Sequence, residues 1–153
     1  MNASFAIKPE AVAILCAKDK PAILEDLARL FAKAWDLDAE QVLENLEERE
    51  KLGSTGFGRA VAIPHARLAG VARPIAALIR LTRQVDFDAA DGMPVELVIG
   101  LLSPENSGVA HLHALAAISR LVRDERMRDA LIEAPDEEAI YALLTNATDR
   151  DAA

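Results

Sequence analysis

A single cysteine, Cys16, excludes an intrachain disulfide framework and fits a reducing compartment. Its neighbours Ile14, Leu15 and Ala17 point to a small buried apolar residue, and no base or cationic group stands beside it to make a reactive thiol. Aromatic residues make up 4% of the chain, so the core must be built from Leu, Ile, Val and Ala. No uncharged apolar run reaches transmembrane length, and the segment Met1 to Pro9 lacks the charged start and apolar stretch of a signal peptide. A soluble, cytoplasmic protein is the expectation. Internal repeats, low-complexity linkers and composition breaks are missing too. The expectation is one domain spanning 1–153, with an ordered core over about 8–145. A formal charge of −8 argues against general nucleic-acid binding, which needs a basic footprint.

One further absence is local. From Lys51 to Val85 there is not one Asp or Glu, while Lys51, Arg59, Arg67, Arg73, Arg80 and Arg83 fall within it. This cationic island contains a glycine-punctuated stretch, Gly53-Ser54-Thr55-Gly56-Phe57-Gly58, followed by Arg59-Ala60-Val61-Ala62-Ile63-Pro64-His65. An imidazole beside glycine-rich backbone and arginines suits the handling of a phosphoryl group. The glycines alone would equally make turns, and the pattern is neither a Walker nor a dinucleotide fingerprint.

Helical periodicity begins at Lys20-Pro21, where Pro fits a first turn, and continues through Ile23, Leu24, Leu27, Leu30 and Phe31. Asp38-Ala39-Glu40-Gln41 has the form of a capping box. It leads into a second helix with Val42, Leu43 and Leu46 on one side and Glu44, Glu47 and Glu48 on the other, ending near Lys51. Arg49 lies one turn beyond Leu46, at the edge of that apolar face. The period then changes. Strands are expected over 60–63, 75–81 and 95–102, the last nearly continuous in apolar residues and so buried on both faces. Asp91-Gly92 marks a turn between the last two. Ser107 is placed to cap a helix carrying Leu112, Leu115, Ile118 and Val122, and helices follow over 124–132 and 136–144. The polar tail from Thr145 to Ala153 is expected to fray. Helices at both ends around a central sheet imply an α/β sandwich with a mixed β-sheet.

The other histidines, His111 and His113, point about 200° apart on a helix. His111 lines up with Leu115, Ile118 and Val122 within about 40°, on the apolar face. His113 lines up with Ala117 and Arg120, on a more solvated face. For His111 a satisfied core histidine competes with a site residue in the first helical turn, where the backbone attracts anions. For His65 an idle loop histidine competes with a phosphoryl carrier. For Arg49 a solvated charge in Glu47-Glu48-Arg49-Glu50 competes with an anion ligand.

The stretch Arg49-Glu50-Lys51-Leu52-Gly53-Ser54-Thr55-Gly56-Phe57-Gly58, running to Ala62-Ile63-Pro64-His65, resembles the enzyme IIA proteins of the bacterial phosphoenolpyruvate-dependent phosphotransferase system. The resemblance is to the fructose/mannitol type, and most closely to its nitrogen-regulatory branch. His111-Leu112-His113-Ala114-Leu115 with Ser119-Arg120-Leu121 resembles that family's second motif, and nearly the whole chain is covered. The resemblance implies a mixed sheet sandwiched by helices, His65 as phosphoryl acceptor, His111 as the second active-site histidine and Arg49 as a ligand of the phosphoryl group. Backbone N–H groups of the 53–58 loop would add donors. The implied donor is an HPr-like phosphocarrier protein; a separate enzyme IIB or a regulated protein would be a further partner, and no metal or organic cofactor is implied. Two departures stand out. Ala60 replaces a glycine, a mild change in a strand. Ala66 replaces the glycine after the histidine, a costlier change if that position is left-handed. Arg59 adds a charge nearby.

A regulatory protein-binding module with a degenerate or purely switching phosphosite is the alternative. A metal-dependent hydrolase is a weaker option, since the spacing His111-x-His113 lacks nearby carboxylate or cysteine ligands.

Overall fold

The computed structural model describes residues 4–152, with side chains described through residue 146. The order of elements is β1 (Val12–Leu15), α1 (Lys20–Trp35), α2 (Ala39–Lys51), β2 (Gly56–Gly58), β3 (Val61–Ala62), β4 (His65–Leu68), β5 (Ile75–Val85), β6 (Val95–Pro104), α3 (Gly108–Arg123), α4 (Glu125–Glu133) and α5 (Glu137–Ala152).

Strands β5 and β6 form the central antiparallel pair, with Leu78 opposite Ile99 and Ile75 opposite Leu102. β1 joins β5 in parallel. β3 and β4 both run parallel to β6, and β2 closes that edge antiparallel to β3. The sheet is therefore mixed, and its period-2 alternation separates two cores. Ala77, Ile79, Leu81, Val98 and Leu102 face α1 and α2, against Leu27, Phe31 and Leu46. Ala76, Leu78, Leu97, Ile99 and Leu101 face the other way, onto Ile118, Leu131 and Ile140 of α3, α4 and α5. Phe31, Leu78 and Leu97 are wholly buried; burial of each such side chain contributes roughly 1.5–3 kcal/mol. Gly100 of β6 sits directly under α1. A Cβ there would lie 2.7 Å from Leu27 Cδ2 and 2.8 Å from Phe31 Cε2, so its lack of a side chain sets how closely the helix approaches the sheet.

The helix starts follow from their caps. Asp19 accepts from Ala22 N at 3.0 Å, and Asp38 accepts from Glu40 N at 3.0 Å. Asp124 caps α4 in the same way. Two buried or half-buried arginines close helix ends from the side. Arg80 donates to the carbonyls of Leu131 and Ala134, and Arg128 to those of Val122 and Arg123.

Several expectations change. Cys16 is exposed, because β1 ends at Leu15 and the chain turns outward before α1. Phe5 is buried and Ala6 bridges Ile75, so packed structure begins before residue 8. Ser107 precedes α3 without a side-chain cap bond. The buried stripe of α3 runs through Ala114, Ala117, Ile118, Leu121 and Val122. Ile118 and Val122 are buried as expected, but the stripe spreads to one side of the expected face: Ala117 is buried, Leu112 is 65% exposed, and His111 sits on the edge, half-buried. His113 is exposed, as expected. Helix α5 continues to Ala152, with no Gly or Pro after Leu144 to stop it; Ala153 lies outside the described residues.

Candidate functional site

Strands β3 and β4 are one strand interrupted at Ile63-Pro64. Ala62 pairs with Val98 and His65 with Leu101, so the register against β6 is unchanged across the gap. Pro64 has no N–H, but its carbonyl accepts from Leu101 N at 2.9 Å and keeps the chain in line. The Ile63 N–H turns to the carbonyl of Thr55 at 2.9 Å, and the Ile63 carbonyl turns to the ring of His65. His65 thus sits at the start of a strand, not in a loop, and is half-buried.

Its ring is held from both sides. Nδ1 lies 2.7 Å from the Ile63 carbonyl oxygen, which can only accept. Nε2 lies 3.3 Å from Nε of Arg49, which can only donate. These partners assign the proton to Nδ1 and leave the lone pair on Nε2. Burial pushes the His65 pKa below its ordinary value, and the Arg49 charge adds to that; the Ile63 carbonyl and the Glu50 carboxylate oppose it. The ring is therefore neutral and nucleophilic near pH 7.

Arg49 reaches the site from the last turn of α2. A second bond, from Nη1 to the Gly53 carbonyl at 2.8 Å, fixes the guanidinium plane. The next residue, Glu50, turns inward with its side chain 6% exposed and pairs with Lys20 Nζ at 2.9 Å. The same carboxylate accepts from the backbone N–H of Thr55 at 3.1 Å and from its hydroxyl. The 53–58 loop is consequently a brace. The N–H groups of Gly53, Thr55 and Gly56 are bonded to the Glu50 carbonyl, the Glu50 carboxylate and Ser54 Oγ respectively. None of these three is free to cradle an anion, contrary to the expectation.

His111 approaches from α3, its ring centroid 5.5 Å from that of His65 and tilted by 50°. Its backbone N–H bonds the Ser107 carbonyl at 3.1 Å, so the ring, not the amide, is what it offers. Nδ1 lies 2.7 Å from Oγ of Ser103 on β6. Burial, with the charges of His65 and Arg67 adding to it, lowers its pKa to about 4. Arg67, two residues beyond His65 on β4 and so on the same face of the sheet, also lines the cleft. That cleft has a volume of about 1250 Å³. Its rim carries Leu52, Val109 and Leu112, which are 84%, 69% and 65% exposed.

The three candidate residues His65, His111 and Arg49 thus meet in one cleft. Arg67, Glu50 and Ser103 are additions. Arg67 could be placed only by recognising a strand after His65, and Ser103 and Glu50 only by knowing which way each turns. The cationic island does not converge as a whole, since Arg80 closes a helix end. The two alanine substitutions exchange roles. Ala66 lies in extended β4 and needs no glycine. Ala60 lies outside the strand at φ 70°, after Gly58 at 98° and Arg59 at 56°, and carries the left-handed strain. Among the described residues no group of three or more His, Cys, Asp or Glu is placed to hold a metal ion. No helix is long and apolar enough to cross a membrane, again among the described residues.

Comparison with known proteins agrees with the fold. Residues 6–147 match the family model described as phosphoenolpyruvate-dependent sugar phosphotransferase system, EIIA 2. A nitrogen regulatory protein of Pseudomonas aeruginosa is 45% identical over 128 residues, covering 83% of each chain. The crystal structure of the nitrogen regulatory protein IIA-Ntr from Neisseria meningitidis superposes with a TM-score of 0.84 at 36% identity, over 90% of this chain and 95% of that one. Mannitol enzyme IIA of Escherichia coli, in complex with phosphorylated mannitol enzyme IIB, shares the fold with a TM-score of 0.77 at 20% identity, over 93% and 99% of the two chains. This chain belongs to the EIIA 2 family of the phosphoenolpyruvate-dependent sugar phosphotransferase system.

Proposed function

We propose that the protein is a phosphoryl-group acceptor and donor in a regulatory, nitrogen-type branch of the phosphotransferase system, with Nε2 of His65 as the acceptor. The observation that carries this is the aim of one lone pair: Nδ1 is tied to the Ile63 carbonyl at 2.7 Å, while Nε2 opens toward Arg49 in the cleft. The donor is a phosphohistidine on an HPr-like carrier. The exposed apolar rim of Leu52, Val109 and Leu112 suits a protein surface better than a small sugar phosphate. The domain spans 1–153 in this reading, with residues 6–147 matched by the family model, and the protein works in the cytoplasm.

In the step itself the Nε2 lone pair attacks phosphorus. A new P–N bond forms as the bond to the carrier's imidazole breaks, and its electron pair stays on the carrier's ring. The His65 proton remains on Nδ1, donated to the Ile63 carbonyl, throughout. Bonds of the same kind are broken and made, so transfer is close to reversible. Catalysis rests on in-line positioning and on charge stabilisation at the equatorial oxygens. Arg49 shifts its Nε–H from Nε2 to one of those oxygens, and His111 supplies a second donor.

Transfer onward goes to a partner of the kind that mannitol enzyme IIA meets in its complex with phosphorylated enzyme IIB, or ends in regulation. The second outcome draws on the same rim. Phosphorylation places negative charge within an apolar ring and so weakens or redirects whatever protein docks there. Incubation with enzyme I, an HPr-like carrier and phosphoenolpyruvate tests the acceptor role. A mass gain of one phosphoryl group, lost on acid treatment and lost in His65→Ala, is expected. Stoichiometric labelling of His65→Ala would overturn the assignment, and no labelling of the wild-type chain by any carrier would leave only the binding module.

A further inference from the structure

Ser103 is wholly buried, yet it carries a hydroxyl. It sits on β6, in register with Arg67, behind the ring of His111. Among the described residues the partner of that hydroxyl is Nδ1 of His111 at 2.7 Å. A buried hydroxyl that donates to nothing leaves a costly unsatisfied proton. If the imidazole donated instead, the serine proton would have no acceptor. Satisfaction of both groups therefore requires the O–H of Ser103 to donate and Nδ1 to accept. A neutral imidazole has one N–H, so it must then lie on Nε2.

We propose that Ser103 is a positioning residue that holds His111 as its Nε2–H tautomer, so that the ring presents a fixed, uncharged donor to the phosphoryl group on His65. The proposal rests on the acceptor role of His65. The groups around the cleft support a neutral ring. Burial first, and then the charge of Arg67 on β4, oppose a positive charge on His111, and its pKa is lowered to about 4; Glu105 lines the same cleft just after β6. The two histidines are thus set in opposite tautomers by groups behind them. The Ile63 carbonyl leaves His65 a nucleophile, and the Ser103 hydroxyl leaves His111 a donor. With the opposite tautomer His111 would turn a lone pair toward the incoming anion.

Long-range proton–nitrogen correlation spectra of the 15N-labelled, unphosphorylated protein at pH 7 read both rings directly. His111 is expected with a protonated Nε2 and a bare Nδ1, and His65 with the reverse. A wild-type His111 protonated at Nδ1 overturns the proposal without need of a variant. Ser103→Ala should mix the His111 tautomers and slow single-turnover transfer from phosphorylated carrier about tenfold. That is less than a mis-set tautomer costs a histidine that itself moves the proton. Ser103→Thr, which keeps the hydroxyl, should restore the wild-type tautomer and most of the rate. Slowed transfer in Ser103→Ala with unchanged tautomers would mean a merely structural serine and would sink the idea. Failure of the acceptor role appears elsewhere, as wild-type phosphate found on a residue other than His65.

Discussion

Nε of Arg49 donates to Nε2 of His65 at 3.3 Å, a long bond on the atom proposed as the phosphoryl acceptor. The guanidinium is already anchored at Gly53, so it stands beside the proposed nucleophile in the unphosphorylated protein. Preorganised donors of this kind act most strongly where charge develops. Arg49→Lys retains the charge but loses Nε and the planar fork. Single-turnover phosphorylation of that variant is expected to fall roughly tenfold to a hundredfold, with little change in the carrier concentration at half-saturation. An unaltered rate would show that the guanidinium does not reach the transferred group.

His111 makes the folded state sensitive to acid. Its pKa is lowered from 6.5 to about 4 on folding, so between those values the unfolded chain binds more protons than the native one. Stability therefore rises with pH through that window. It is complete above about 6.5 and is lost as pH falls toward 4, below which the slope ends. The lowered His65 acts in the same direction. Urea midpoints at pH 7 and pH 5 should drop for the wild-type chain, and His111→Gln should narrow the drop. Equal drops in both proteins would mean that His111 is not held neutral.

Ala60 occupies φ 70° where only glycine is free of steric cost, and it does so immediately before the strand that carries His65. Relief of left-handed strain outweighs the greater freedom that a glycine has in the unfolded chain. Ala60→Gly should thus stabilise the protein by roughly 0.5–1 kcal/mol. Chemical denaturation measures this, and destabilisation would show that the segment adopts another conformation in solution.

The central β5–β6 pair and the first helices were legible because their apolar periods are unbroken and their caps are local. Asp19 and Asp38 act within three residues of themselves. Shorter strands were not. β2 and β4 have three and four residues, and they exist only because β3 and β6 stand ready to pair with them. His65 therefore read as a loop residue. The departure at the start of α3 has a similar cause. There the buried stripe is made by Ala114 and Ala117, which periodicity weights less than Leu112, and Leu112 instead faces out over the cleft, while Ile118 and Val122 are buried as their spacing predicts. The strain at Ala60 rather than Ala66 follows from backbone turns that no side-chain pattern encodes. His65, His111 and Arg49 stand out as candidates through ordered motifs, whereas Glu50 and Ser103 are common residues marked only by their inward orientation.

Glu50 ties these levels together. Its carboxylate binds Lys20 and both donors of Thr55; the Thr55 carbonyl holds Ile63 N, and the Ile63 carbonyl holds Nδ1 of His65. The same negative charge raises the His65 pKa against burial and Arg49. Glu50→Gln keeps the shape of the side chain but removes the charge. Its amide can still accept from Thr55, while Lys20 loses its close partner and keeps only the Asp88 carboxylate, 3.9 Å away. Two effects are expected. The variant should lose about 2–4 kcal/mol of stability, since a buried ion pair is broken on one side. The His65 titration, followed by ring NMR shifts, should move lower still, because the one carboxylate that opposed the downward shift is gone. Loss of stability with an unmoved His65 titration would confine Glu50 to bracing the loop. An upward shift would contradict the placement of its charge beside the ring.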